Sequence, residues 1–334
     1  MHKTAEVLVR ENQTKRTVRI TGNDKPEIEP EIIKRWQRII NLIAKILEVP
    51  AGLIMQAKED SISVLLKSQN PENPYSEGGV DSLGHGIYCE TVIGENRELL
   101  IDNALTHEDW KDNPDVKLNM ISYCGLPIQW EDGEFFGTIC VLDNKTNYYC
   151  DNYRALLEEF KITIESDLRS AQYKQQLRYY AEMDVMTATY NRNKMESVLA
   201  SEFERSRRYG EVFSLTLMDI NSLKKINDTF GHCKGDEIIK TFASAFNSRI
   251  RDVDHFGRWG GDEFMLLCPN TVIDGMETLM KDIFKLVTEE MGKVVPNSSF
   301  CYGCAEYSKE DHDYQEILKI ADQKVYLCKE GYRR

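Results

Sequence analysis

The chain has 334 residues, about two domains at roughly 150 residues each, which argues against a lone small binding module. Its 42 Lys and Arg against 55 Asp and Glu give a net charge of −13, with 41% hydrophobic residues, a soluble globular composition rather than a disordered, collagenous or membrane one. That field repels polyanions, so no nucleic-acid polymer is expected as a partner, while a local pocket for a nucleotide phosphate stays compatible with it.

Residues 1–29 are polar and break at Gly22-Asn23-Asp24-Lys25-Pro26, which predicts a flexible arm without the apolar core of a secretory signal. From Pro30, Ile32, Ile33, Trp36, Ile39, Ile40, Ile43 and Leu47 recur at helical spacing. Strands follow at 51–57 and 62–67, and then at 122–130 and 135–142 around an Asp132-Gly133 turn. No apolar run approaches about 18 residues; the longest dense one, Phe264 to Cys268, is strand-sized. No membrane span and a cytoplasmic location are therefore expected.

From Tyr153 to Met183 there is no Pro or Gly, and Leu157, Phe160, Ile164, Leu168, Ala171, Leu177 and Tyr180 mark a stripe on one long helix. About thirty residues span on the order of 45 Å, more than one domain needs, so part of the stripe is expected to pair with a second copy as a dimer stalk. The simpler reading is docking onto its own first domain. The second half then reads strand (212–219), helix, helix (237–246), hairpin around Gly260-Gly261, helix (276–290), strand (298–307), helix (314–330), an α+β sheet covered by helices. Nine scattered cysteines lack paired metal-ligand spacing, and the one CxxC, Cys301 to Cys304, lies on a strand that sends its side chains to opposite faces.

Gly260-Gly261 between two strands predicts a two-residue turn with positive φ at both glycines. Two carboxylates, Asp262 and Glu263, follow at the mouth of a buried strand, where an ordinary hairpin has solvated polar residues. Asp219 ends another apolar strand, and if the two are neighbours Asp219 and Asp262 converge. Two carboxylates about 4 Å apart repel by roughly 4 kcal/mol at an effective dielectric of 20, so the pair needs protons or a cation. Mg²⁺, with Mn²⁺ as the alternative, takes oxygen ligands and leaves positions for substrate phosphates. Ser222-Leu223-Lys224-Lys225 opens a helix whose free N–H groups suit phosphate.

Three motifs stand in order: Asp184-x-x-Thr187-x-x-x-Asn191-Arg192; Asp219-Ile220-Asn221-x-x-Lys224-x-x-Asn227-Asp228-x-x-Gly231-His232-x-x-Gly235-Asp236; and GGDEF at 260–264. Together they resemble the GGDEF diguanylate cyclase family over about residues 180–334. The resemblance implies a ferredoxin-like, palm-type fold and an enzyme joining two GTP into cyclic di-GMP and two pyrophosphates, in a homodimer with two facing half-sites. It further implies that Asp219, Asp262 and the Ile220 carbonyl bind metal, with Glu263 beside the metals or the reacting hydroxyl. Asp262, Glu263 and Lys224 are then the catalytic set. Asn227 and Asp236 match the guanine-binding pair, consistent with guanine's N1–H and N2–H₂ being donors. Ser222, Leu223, Lys224, Lys329 and Arg333 match phosphate-contacting positions, and Arg251 and Asp254 match an RxxD product-inhibition motif that binds cyclic di-GMP. The chain departs from the family pattern at Met186, Ala188, Thr189, Ser222 and Tyr332, where Leu, Gly, Leu, Phe and Gly are usual.

The segments Leu83–Ala104, Asn113-Pro114 and Met120–Asp143 resemble a GAF domain, which implies a small-molecule pocket or a dimerisation module of unknown ligand. Cys89 reads as core rather than chromophore anchor, and His85 and His107 as polar loop residues rather than haem ligands. The expected organisation is an arm at 1–29, a GAF sensor domain at 30–165, a helical signalling linker at 166–183 and a GGDEF domain at 184–334. The competing expectation is a non-catalytic receptor, for cyclic di-GMP or a GAF ligand, that controls a protein partner.

Overall fold

The structure, a computed structural model, describes residues 3–333, the side chains of Tyr332 and Arg333 apart. It divides between Gln175 and Gln176 into two compact units, and both are α+β, as the pattern of elements predicts.

In the first unit, β1 (Lys3–Val9) and β2 (Thr14–Ile20) form an antiparallel hairpin, and Ile20 of β2 pairs with Phe135 of the central sheet. Residues 3–20 are thus sheet, not the flexible arm their polarity predicts. The physical reason is that Ala5, Val7 and Val9 alternate inward with period two while nearly all of β2 stays exposed, so the apolar signal is thin. The amphipathic helix α1 (Pro30–Ile46) buries Trp36, Ile39, Ile40 and Ile43, as its spacing predicts. After it come β3 (Ala51–Ala57), β4 (Ser61–Lys67), β5 (Val80–Ser82), α2 (Tyr88–Glu95), β6 (Leu99–Ile101), β7 (Ser122–Gln129) and β8 (Phe135–Asp143). The sheet order is β1-β2-β8-β3-β4-β5, with β6 and β7 on a branch from β8. Gly94 lets α2 lie close on β1: a Cβ there would sit 2.6 Å from a Val9 methyl.

The long helix α3 (Asp151–Glu182) has two characters. Leu157, Ile164 and Leu168 are fully buried in the core that α1 shares, and Asp167 accepts from the Trp36 indole at 2.9 Å. Leu177 and Tyr180 are 70% and 63% exposed. The early stripe therefore docks on its own unit, and the late stripe lies open. Among the described residues no helix is long and apolar enough to cross a membrane.

The second unit contains β9 (Met183–Asp184), β10 (Thr189–Tyr190), α4 (Arg192–Tyr209), β11 (Phe213–Ile220), α5 (Leu223–Phe230), α6 (His232–Asn247), β12 (His255–Arg258), β13 (Glu263–Pro269), α7 (Ile273–Val294), β14 (Phe300–Glu306) and α8 (Tyr314–Arg333). The sheet order is β14-β11-β13-β12-β10-β9. One face carries a core with α6 and α7, rich in stacked phenylalanines; the other packs on α4 and α8. Phe264, fully buried against Phe242 at 4.6 Å and Phe256 at 5.5 Å, anchors the start of β13. The two residues before it are thereby held at the rim.

Candidate active site

Strand β11 pairs with β13 so that Asp219 stands opposite Glu263, and the Ile220 N–H donates to the Asp262 carbonyl at 3.0 Å. The sequence expectation that Asp219 and Asp262 meet at one sheet end is realised in this register. Asp219 is buried, and Lys329 of α8 places its ammonium 2.5 Å from the Asp219 carboxylate. Burial raises the Asp219 pKa, the Lys329 ammonium opposes that rise, and the Asp262 charge adds to it. Desolvation, followed by the charges of Asp219 and Asp262, raises the Glu263 pKa as well. Three carboxylates therefore share one field, with a lysine as the cation inside it.

Trp259 and Asp322 belong to the same place and escape the sequence reading. With Leu217, Asp219, Glu263 and Val325 they line a cavity of about 60 Å³. Asp322 could have been found from spacing alone, since it lies seven residues before Lys329, on one face of a helix.

The loop between β12 and β13 runs from Trp259 to Asp262, closed by hydrogen bonds from the Trp259 and Gly260 N–H groups to the Glu263 carbonyl at 2.8 and 3.1 Å. Neither Gly260 nor Gly261 is among the glycines with positive φ, so the two-residue turn expected from the sequence is replaced by a four-residue loop. The glycines answer to space instead. A Cβ on Gly260 would lie 2.5 Å from a Glu263 carboxylate oxygen, and one on Gly261 would meet nothing within 4 Å. Glu263 folds under the first glycine, and the second leaves the rim open.

The first motif supports this loop. Arg258 donates to the Gly261 carbonyl at 2.7 Å and contacts the Asp184 carboxylate at 3.3 Å. Asp184 in turn accepts from the Thr187 N–H and hydroxyl at 3.0 and 2.8 Å. Asn191 caps α4 by accepting from the Lys194 N–H at 3.0 Å, and its amide donates to the Ala181 carbonyl at 2.8 Å. The Arg192 guanidinium lies 4.9 Å above the Trp259 ring. Ala188, where the resembled family has glycine, sits at φ +52°, the left-handed conformation that glycine adopts freely.

Ser222, also left-handed at φ +57°, and Leu223 open α5 directly after Asp219-Ile220-Asn221. Lys224 is exposed in its first turn. Asn227 lies further along α5 with its Oδ1 buried and unpartnered, and a Cβ on Gly235 would fall 1.8 Å from that oxygen. Gly235 is thus the residue that gives the Asn227 amide its place, with Asp236 next to it on α6. Arg251 and Asp254 lie in the turn before β12, where the Arg251 N–H donates to Asp254 at 2.9 Å and the guanidinium approaches the same carboxylate at 3.5 Å. Arg333, expected at a phosphate, has its side chain outside the described residues.

In the first unit Cys89 is buried, accepting from the Thr138 hydroxyl at 3.2 Å, which suits core rather than a chromophore anchor. His107 is a loop residue paired with Asp102 at 3.0 Å, and His85 is exposed.

Comparison with known proteins gives two family matches: the GAF domain over residues 31–165, and the diguanylate cyclase GGDEF domain over residues 181–334. The chain is 30% identical over 174 residues to a protein named probable diguanylate cyclase DgcC of Escherichia coli K12, covering 52% of this chain and 47% of that protein. It is 31% identical over 174 residues to a diguanylate cyclase of Vibrio cholerae, covering 52% of this chain and 54% of that protein. The chain spans about half the length of these curated relatives. A solved structure of the coiled coil and GGDEF domain of DgcB from Caulobacter crescentus, in complex with c-di-GMP, aligns with 23% identity over 54% of this chain and 96% of that chain, TM-score 0.49.

Proposed function

We propose, for a chain that carries a GAF domain followed by a GGDEF domain, that it is a diguanylate cyclase whose output is set by its first unit. The observation that carries this reading is the register of β11 on β13, which puts Asp219 beside Asp262 and Glu263 next to the opening of α5.

The residues fit a divalent cation. Among the described residues no group of three or more His, Cys, Asp and Glu side chains is placed to hold a metal ion by itself. Mg²⁺ does not need one, because one or two carboxylates plus substrate phosphates suffice. The Lys329 ammonium on Asp219 supports a positive partner at this carboxylate. Asp219, Asp262 and the Ile220 carbonyl would hold the ion, Mg²⁺ or Mn²⁺. When bound, it supplies charge neutralisation at the transferring phosphoryl group.

The chain's own groups do the rest. Asn227 offers a buried acceptor with no partner, a state that costs about 1–3 kcal/mol until a donor arrives. Guanine brings such donors on its Watson–Crick edge, with Asp236 accepting alongside, whereas adenine presents an acceptor at N1. The N–H groups of Ser222 and Leu223, with Lys224, receive phosphate oxygens. Lys329 serves the same phosphates once it leaves Asp219. Glu263, its pKa raised by burial and then by its carboxylate neighbours, stands where the 3′-hydroxyl of one GTP attacks the α-phosphorus of the other and pyrophosphate leaves. Closing the ring takes two such steps, so two chains face each other. The open Leu177 and Tyr180 on α3 supply a surface for that dimer. Arg251 and Asp254 form the site at which the product restrains turnover, the guanidinium pairing with phosphate.

The test is product chromatography after incubating the full chain with Mg²⁺ and either GTP or ATP. Cyclic di-GMP from GTP and no cyclic product from ATP supports the reading. No product from either, with the chain folded, favours the receptor alternative.

A further inference from the structure

A second feature of the same corner lies outside the cyclase reading. The pairing of β14 with β11 and the packing of α8 on β14 place Cys301 and Cys328 near each other beside Asp219. Cys301 of β14 is the register partner of Asp219. Strand β14 and helix α8 are pressed together at Gly303, where a Cβ would lie 2.3 Å from the Ala321 carbonyl and 2.8 Å from the Val325 nitrogen. Cys301 is two residues from Gly303, hence on the same face of the strand, about 7 Å along it. Cys328 is one turn beyond Val325, about 4.5 Å along the helix. The two elements run in opposite directions here, because Lys324 donates to the Cys304 carbonyl at 2.7 Å while Lys329 reaches Asp219 opposite Cys301. Burial first, and the nearby Cys328 thiol second, push the Cys301 pKa up. Cys301 is buried, and Cys328 is exposed. Cys304 faces the other core, with α6 and α7, and has no part in the pair.

We propose that Cys301 and Cys328 are a reversible dithiol–disulfide site that, when oxidised, holds Lys329 on Asp219 and closes the cation site. The closure rests on the reading of Asp219 as a metal ligand. With hydrogen peroxide as oxidant, the Cys328 thiolate attacks one peroxide oxygen. The O–O bond breaks and hydroxide leaves as water after protonation, giving a sulfenic acid. The Cys301 sulfur then attacks the Cys328 sulfur, the S–O bond breaks and a second water leaves. Two thiols lose two electrons and two protons, and one peroxide becomes two waters. A dithiol reductant reverses the step by exchange. The cross-link fixes the turn of α8 that immediately precedes Lys329. In the reduced chain that turn is free to carry the ammonium away from Asp219, and in the oxidised chain it is not.

The experiment uses the full chain and the Cys328→Ser variant, each treated with stoichiometric hydrogen peroxide, alkylated and digested for peptide mapping by mass spectrometry. The expected result is a 301–328 linked peptide pair in the parent chain, lost on reduction and absent from the variant. Free Mn²⁺, followed by electron paramagnetic resonance with a non-hydrolysable GTP analogue present, gives the second readout. Oxidation should weaken Mn²⁺ binding by about tenfold or more in the parent chain and leave the variant unchanged. Oxidation of Cys328 to sulfinic acid without a cross-link, a cross-link between other cysteines only, or a 301–328 cross-link that leaves Mn²⁺ affinity untouched would overturn the proposal. Reduced chain that binds Mn²⁺ and cyclises GTP alongside any of these outcomes leaves the cyclase reading standing. Reduced chain that binds no Mn²⁺ overturns both.

Discussion

The Lys329 ammonium lies 2.5 Å from the buried Asp219 carboxylate, tying helix α8 to the strand end that faces Asp262 and Glu263. A carboxylate buried among like charges is a costly group, and the lysine is what offsets that cost in the absence of another cation.

The pH behaviour follows from the raised pKa of Asp219, caused first by burial, and of Glu263. A carboxylate whose folded pKa is raised holds its proton more tightly folded than unfolded. Its contribution is neutral below the ordinary carboxylate range and destabilising once pH rises through the raised value. A bound cation relieves that penalty. The stabilisation produced by Mg²⁺ with a GTP analogue should therefore be large near about pH 8 and fade toward about pH 5. Thermal denaturation with and without the ligands across that range measures it; a ligand-induced shift that grows on acidification would refute the assignment.

Gly235 is predicted to act on substrate affinity. Its replacement by alanine favours the helix intrinsically by up to about 1 kcal/mol, yet puts a methyl where the Asn227 Oδ1 now lies. Gly235→Ala should raise KM for GTP by about tenfold or more, the loss of one buried hydrogen bond, with the fold retained by circular dichroism. Unchanged KM would detach Asn227 from the base.

Arg258 holds the Gly261 carbonyl and the Asp184 carboxylate at once. Arg258→Ala should lower kcat by on the order of 10²-fold, the cost of a misplacement near 1 Å, and change KM for GTP much less, since Asn227 and Asp236 lie elsewhere. Steady-state kinetics separate the two; a pure KM effect would place the loop in binding rather than in positioning.

Ala188 sits at φ +52°, where an L-residue is strained. Ala188→Gly should stabilise by about 0.5–1 kcal/mol after the entropy cost of glycine, a rise of roughly 1–4 °C in the melting of its own unit. Calorimetry decides, and a lower melting temperature would mean the conformation carries no strain.

Much of this site was legible because chemistry and periodicity agreed. The apolar runs ending at Asp219 and beginning after Glu263 read as strands whose acidic ends converge if the two are neighbours, and the register of β11 on β13 makes them so. The helix from Pro30 was equally plain in its stripe. The hairpin of residues 3–20 was hidden because β2 buries little beyond Ile20 and offers no alternation to read. The loop at Gly260-Gly261 misled because two glycines signal positive φ as readily as they signal missing side chains, and here only the second applies. Asp322 and Trp259 stayed invisible because their place in the site depends on α8 crossing the sheet end, a tertiary relation.

Product analysis of the intact chain and Asp262→Asn, side by side with GTP and Mg²⁺, tests the central claim most directly. Asp262 stands at the strand rim and is not buried, so the substitution should leave the melting temperature within a few degrees. The intact chain should yield cyclic di-GMP and pyrophosphate in a one-to-two ratio, and the variant at least about 10²-fold less, the scale of removing one charge-stabilising group. Equal turnover by both, or unreacted GTP from a folded intact chain, would contradict the account.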